Sequence, residues 1–192
     1  MKVFLVRHLE PAGAAGLCYG RLDLPTTPAV LQRGAAAVKA RVGEVGLCLS
    51  SPLRRCADLA AVAFGDCELD ARLAELDFGD WEGRRWDDID RAEFDVWAAD
   101  CVHRAPPGGE SWTALRERAE AFLADLRERP PERAAVVAHA GVIRACLSLV
   151  MGIPLPPTWR IGLPYGCVVT VELGRGRGED RLLALSTDTA RR

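Results

Sequence analysis

The chain carries only three histidines, at positions 8, 103 and 139. His8 and His139 both stand at the ends of short apolar runs, Val3–Val6 and Ala134–Ala138. In open α/β sheets ligands gather beyond the carboxyl ends of the strands, where two such histidines can meet in one site. Arg7 stands beside His8, and an arginine on a strand rim is costly to bury without an anion. A second basic pair, Arg54-Arg55, follows Ser51-Pro52 at another strand-to-helix junction. Helix N-termini favour anions, and a guanidinium fork matches phosphate oxygens. Two histidines and these arginines together describe a phosphate pocket. Taken singly, each histidine could be a satisfied structural side chain, and each arginine could pair with a surface acid.

These residues need a scaffold. Strand signals fall on Val3–Val6, Gly46–Ser50, Ala134–Ala138, Gly166–Leu173 and Leu182–Leu185. They are short, apolar and rich in branched residues. Helix signals fall between them, over Ala35–Val42, Leu53–Phe64, Trp86–Ala99, Ser111–Arg129 and Val142–Met151. Ser111 is a candidate cap, and Pro130 and Gly152 are stop signals. Continuously apolar strands alternating with helices predict an α/β fold: a single-domain three-layer α/β/α sandwich over 1–192, with a mostly parallel sheet. The last two strands suit an antiparallel edge. No repeat at solenoid spacing and no long linker divides the chain.

At 192 residues the chain suits one domain with a sizeable core. It is 49% hydrophobic and 27% charged, as ordinary globular proteins are. A formal net charge of −2 argues against a domain built to coat nucleic acid. No uncharged apolar run reaches a membrane span. The start, MKVFLVRHLE, meets Arg7, His8 and Glu10 before a signal-peptide core can form. The expectation is a cytoplasmic protein with no membrane partner. Seven cysteines at 18, 48, 56, 67, 101, 146 and 167 form no C-x-x-C. They are expected to be reduced thiols serving as small hydrophobes, neither a disulfide framework nor a metal site.

Five segments then resemble one family in order. Leu5-Val6-Arg7-His8 with Glu10 is similar to the opening of the histidine phosphatase superfamily, the phosphoglycerate-mutase-like enzymes. Ser50 to Cys56 resembles its second arginine segment, which puts Arg55 at the phosphate-binding position. Leu73 to Gly83 resembles its glutamate segment, with Glu75 as the acid. Pro107 to Ser111 matches a loop entering a helix. Ala138 to Arg144 resembles the segment of the second histidine, His139. The segments span residues 5 to 144. Cys18 to Pro25 is similar to the loop of α-ribazole phosphatase-like members. There are departures: Leu9 stands where the family has glycine, Pro11 where it has threonine, and Ala14 where it has a phosphate-binding asparagine.

The resemblance implies hydrolysis of a small phosphorylated metabolite through a phosphohistidine, without metal or other cofactor. His8 is the implied nucleophile, Glu75 the acid and then the base, and His139 with Arg7 and Arg55 the charge match to phosphate. Arg21 and Tyr19 are further substrate contacts, each as open to a solvated or packing role. α-Ribazole 5′-phosphate, of cobalamin biosynthesis, is the favoured substrate. Two other readings are a phosphoglycerate mutase-type phosphotransferase and a phosphohistidine protein phosphatase or phospho-binding signalling protein. The oligomeric state is left open.

Overall fold

The computed structural model describes residues 1–129 and 131–187. Pro130, taken from sequence as a helix stop, lies outside the described residues. Six strands form one sheet: β1 (Lys2–Arg7), β2 (Leu47–Ser50), β3 (Glu68–Leu69), β4 (Arg133–Ala138), β5 (Val168–Glu172) and β6 (Arg181–Ser186). Their spatial order is β3-β2-β4-β1-β5-β6. The pairs β1–β4, β2–β4 and β2–β3 are parallel, whereas β5 runs antiparallel to β1 and β6 antiparallel to β5. The expected antiparallel edge is therefore present.

The helices are α1 (Pro28–Val42), α2 (Arg54–Phe64), α3 (Arg91–Ala98), α4 (Trp112–Arg127), α5 (Ala140–Met151) and the short α6 (Leu155–Thr158). Side chains alternate across the sheet. Val3, Leu5, Val136 and Val169 face Phe122, Leu126 and Ile143 of α4 and α5. Phe4, Val6, Val137 and Val168 face Val38, Leu59 and Ala60 of α1 and α2. Helices thus cover both faces, the three-layer arrangement expected from sequence. Among the described residues no helix is long and apolar enough to cross a membrane.

Several boundaries differ from the sequence reading. Helix α1 starts seven residues early, at Pro28, because proline suits a first helical position and Gly34 is tolerated inside. The Trp86–Ala99 helix shrinks to α3. Asp90 caps it by accepting from the Glu93 N–H at 2.9 Å, and Trp86–Asp88 forms a separate 3₁₀ turn. Ser111 caps α4 as expected, accepting from the Ala114 N–H at 3.2 Å. The cysteine expectation needs a correction: Cys48 of β2 and Cys67, just before β3, are joined as a disulfide. The pairing of β2 with β3 brings them to a Cα–Cα distance of 4.7 Å, a contact that residue spacing does not reveal. The other five are free thiols, four of them buried.

Gly34 carries a burden that its helix position conceals. A Cβ there would meet Leu9 Cδ1 at 2.4 Å. Leu9 follows the end of β1 and is itself buried. Glycine at 34 thus makes room for the leucine that replaces the family's glycine beside His8. Helix propensity alone favours Gly34→Ala by about 1 kcal/mol. Overpacking Leu9 costs about 1–3 kcal/mol. Gly34→Ala should therefore be net destabilising in urea unfolding, and a variant more stable than the parent would contradict this packing.

Candidate active site

Register brings the two histidines together. Arg7 of β1 lies opposite Ala138 of the parallel strand β4, which makes His8 and His139 the next residues of adjacent strands. The His8 N–H donates to the Ala138 carbonyl at 3.0 Å. The two rings lie 5.0 Å apart, centroid to centroid. Both side chains are buried. β2 ends on the same rim, and Ser51 Oγ lies 2.8 Å from His139 Nε2. Helix α2 starts directly after this and delivers Arg55.

The hydrogen bonds assign the tautomers. His8 Nδ1 lies 2.7 Å from the Leu9 carbonyl, an acceptor, so Nδ1 carries the proton. Nε2 is then the ring nitrogen with a free lone pair. On His139, Arg55 Nε–H donates to Nδ1 at 3.3 Å, which puts the proton on Nε2, facing Ser51. Cys56 Sγ sits 3.4 Å from the same Nε2. Both ring nitrogens of His139 thus have protein partners in this structure. Burial lowers the pKa of both imidazoles well below the ordinary value. Arg55 adds to the shift at His8, and His8 followed by Arg55 adds to it at His139. With its pKa lowered, His139 is a neutral imidazole whose Nε2 proton faces Ser51 in this structure.

Arg55 has no exposed surface. Besides His139 it donates to the carbonyls of Leu22 at 2.8 Å and Gly20 at 2.5 Å. Arg7 donates from Nη1 to the Leu163 carbonyl, while its buried Nε has no acceptor among the described residues. Among the described residues neither arginine has an ion-pair partner. Their charge is uncompensated, which suits an anion.

Glu75 enters from the loop before a 3₁₀ turn at Gly79–Trp81. Its oxygens accept the Leu76 N–H at 3.0 Å and the Gly141 N–H at 3.1 Å. Glycine at 141 permits this approach, since a Cβ there would lie 2.2 Å from Glu75 Oε1. A cavity of about 260 Å³ is lined by Arg7, His8, Tyr19 and Glu75 on its polar side. Leu17, Phe78, Trp86 and Trp112 form its apolar wall. Arg144 lines it too, held by the carbonyls of Thr158 and Ile161.

Arg21 stands apart. Its guanidinium faces Glu110 at 4.0 Å, and it is not among the cavity-lining residues. Glu110 is mainly the partner of Arg118, at 2.7 Å. Glu82 orients a loop and no arginine: it accepts the N–H groups of Gly20, Arg21, Leu22 and Phe78. His103 is exposed and pairs with Asp100. Tyr165 and Ser51 were missed from sequence, although both touch the histidines or their arginines. Among the described residues no group of three or more His, Cys, Asp or Glu could hold a metal ion.

Residues 3–185 match the histidine phosphatase superfamily, branch 1. The chain belongs to that superfamily. It is 29% identical over 185 residues to the Escherichia coli K12 protein named adenosylcobalamin/alpha-ribazole phosphatase, covering 91% of each chain. It is 34% identical over 166 residues to a Salmonella paratyphi B protein named probable phosphoglycerate mutase GpmB, covering 80% of this chain and 76% of that one. The crystal structure of the alpha-ribazole phosphatase from Shigella flexneri superposes with a TM-score of 0.87 at 26% identity, covering 97% of this chain and 96% of that one. The chain is a phosphate hydrolase of the histidine-phosphatase type.

The lowered imidazoles set a pH dependence. An unfolded histidine takes its proton near pH 6.5, whereas folded His8 and His139 do not. Between the lowered folded values and 6.5 the unfolded state binds more protons, so stability falls as pH drops through 6.5. Urea unfolding from pH 8 to 5 should show this loss. By NMR the His8 and His139 rings should remain neutral at pH 6.5. Titration of His8 at or above 6.5 would contradict the site's electrostatics.

Proposed function

We propose that this enzyme hydrolyses a small phosphate monoester through a phosphohistidine on His8. The observation that carries the proposal is the paired imidazoles, 5.0 Å apart, on a rim with two arginines lacking carboxylate partners. His8 Nε2, left unprotonated by the Leu9 bond, attacks phosphorus. The bond from phosphorus to the ester oxygen breaks. Glu75 supplies a proton to that leaving oxygen. Water then attacks phosphorus, Glu75 takes its proton, and the P–N electron pair returns to His8. Arg7 and Arg55 offset the charge on the transferring group. His139 releases Ser51 and donates from Nε2 to a phosphoryl oxygen.

The substrate we favour is α-ribazole 5′-phosphate. Three observations support it. The Cys18–Pro25 loop borders the site through Tyr19 and through the Gly20 and Leu22 carbonyls on Arg55. The apolar wall of Leu17, Phe78, Trp86 and Trp112 suits a flat aromatic base beside the phosphate. Two of the relatives above bear the α-ribazole phosphatase name. With a metabolite of this kind as substrate, we assign the enzyme to the cytoplasm. We assign Arg21 a role only toward parts of the substrate beyond the phosphate.

A phosphate-release screen over metabolite monoesters should rank α-ribazole 5′-phosphate first. Its decisive rivals are 3-phosphoglycerate and phosphohistidine peptides, either of which would redirect the assignment if preferred. His8→Ala should lose roughly three orders of magnitude or more in kcat. Glu75→Gln should lose roughly two to four orders of magnitude on alkyl phosphates. It should spare the burst phase with p-nitrophenyl phosphate, whose leaving group needs no proton. Equal loss of both burst phases would contradict Glu75 as the acid.

A further inference from the structure

Two tyrosines lie against the two arginines of the site, and the hydrolysis steps above do not use them. Tyr165 lies in the loop before β5. Its ring centroid is 4.0 Å from Arg7 Cζ and 5.5 Å from the His8 ring. Tyr19 lies in the loop held by Glu82, with its ring centroid 5.2 Å from Arg55 Cζ. The two hydroxyls meet at 2.7 Å. We propose that Tyr19 and Tyr165 form a clasp that fixes Arg7 relative to Arg55, making both tyrosines positioning residues for the bound phosphoryl group. The proposal rests on the phosphatase reading of the same site.

The two arginines need such a link because they are held unequally. Arg55 is fixed at three nitrogens, by His139 and the carbonyls of Gly20 and Leu22. Those carbonyls belong to Tyr19's own loop, and Glu82 anchors the N–H groups of the same loop. Among the described residues Arg7 has one carbonyl, that of Leu163, and a buried Nε without an acceptor. A single hydrogen bond leaves a guanidinium plane free to turn. The Tyr165 ring stacked on it restrains that turn by a cation–π contact. The hydroxyl bond ties this ring to the anchored loop. Backbone contacts fasten the Tyr165 loop from below, with the Gly166 N–H reaching the Arg7 and His8 carbonyls at 3.2 and 3.1 Å. Burial and the shared hydrogen bond push the Tyr19 phenol up, so that phenol keeps its proton at working pH. Catalysis of phosphoryl transfer is mostly positioning, which gives a fixed pair of arginines its value.

Tyr19→Phe and Tyr165→Phe each remove the same hydroxyl bond and keep both rings. Kinetics with p-nitrophenyl phosphate and calorimetric affinity for orthovanadate should be measured on both variants and on the double variant, with melting curves. Each single variant should lose about five- to thirtyfold in vanadate affinity and in kcat/KM. The double variant should be no worse than either, because one bond is lost in all three. Tyr165→Leu, which also strips the ring from Arg7, should lose more, with Tyr165→Phe restoring part of it. Melting temperatures should stay within a few degrees of the parent. Multiplied losses in the double variant, or unchanged vanadate affinity in all three, would overturn the clasp. A parent that binds vanadate yet hydrolyses no monoester would fail the phosphatase reading, while its vanadate affinities would still test the clasp.

Discussion

Arg55 is a full positive charge with no exposed surface and no carboxylate partner among the described residues. Burying such a charge is expensive, and two backbone carbonyls and an imidazole offset only part of that cost. The rest of the site follows from it. His139 must present an unprotonated nitrogen to Arg55, which fixes its tautomer. The same charge, added to burial, keeps His8 neutral, as the proposed nucleophile must be. Glu82 must hold the 20–22 loop in the shape that aims two carbonyls at Arg55. The remaining positive field, shared with Arg7, favours a phosphate dianion.

The sheet delivers this arrangement by register. Three parallel strands, β2, β4 and β1, end side by side and contribute Ser51, His139 and His8. The antiparallel strand β5 begins where β1 ends, with Val168 opposite Val6. The loop preceding β5 therefore reaches the same rim from the opposite chain direction. It brings the Leu163 carbonyl and the Tyr165 ring to Arg7. A fully parallel sheet would have put that loop at the far end of the molecule.

Much of this was legible in the residues. His8, Arg7, Arg55, Glu75 and His139 sit in four of the five ordered segments, and their chemistry demands those residue types. The layers followed from apolar strands alternating with helices. Tyr165 was not found, although a signal existed: a tyrosine between Pro164 and Gly166, just ahead of a strand expected to be antiparallel. Carrying that direction through would have placed it beside His8. The tautomer of His139 was hidden because it depends on Arg55 and Ser51, 84 and 88 residues away. The Cys48–Cys67 pair was hidden for the same reason, since strand pairing and not spacing brings it together. The leucine at position 9, a departure from the family pattern, is accommodated by Gly34, a compensation that local sequence cannot display.

The central claim is that the lone pair of His8 Nε2 becomes the bond to phosphorus. Rapid acid-free quenching during turnover, followed by proteolysis and mass spectrometry, tests it most directly. The account predicts a phosphoryl group on the peptide bearing His8, stable to base, lost in mild acid, and absent from the peptide bearing His139. A phosphoryl group on His139 or on a cysteine, or no covalent species under conditions of full turnover, would contradict it.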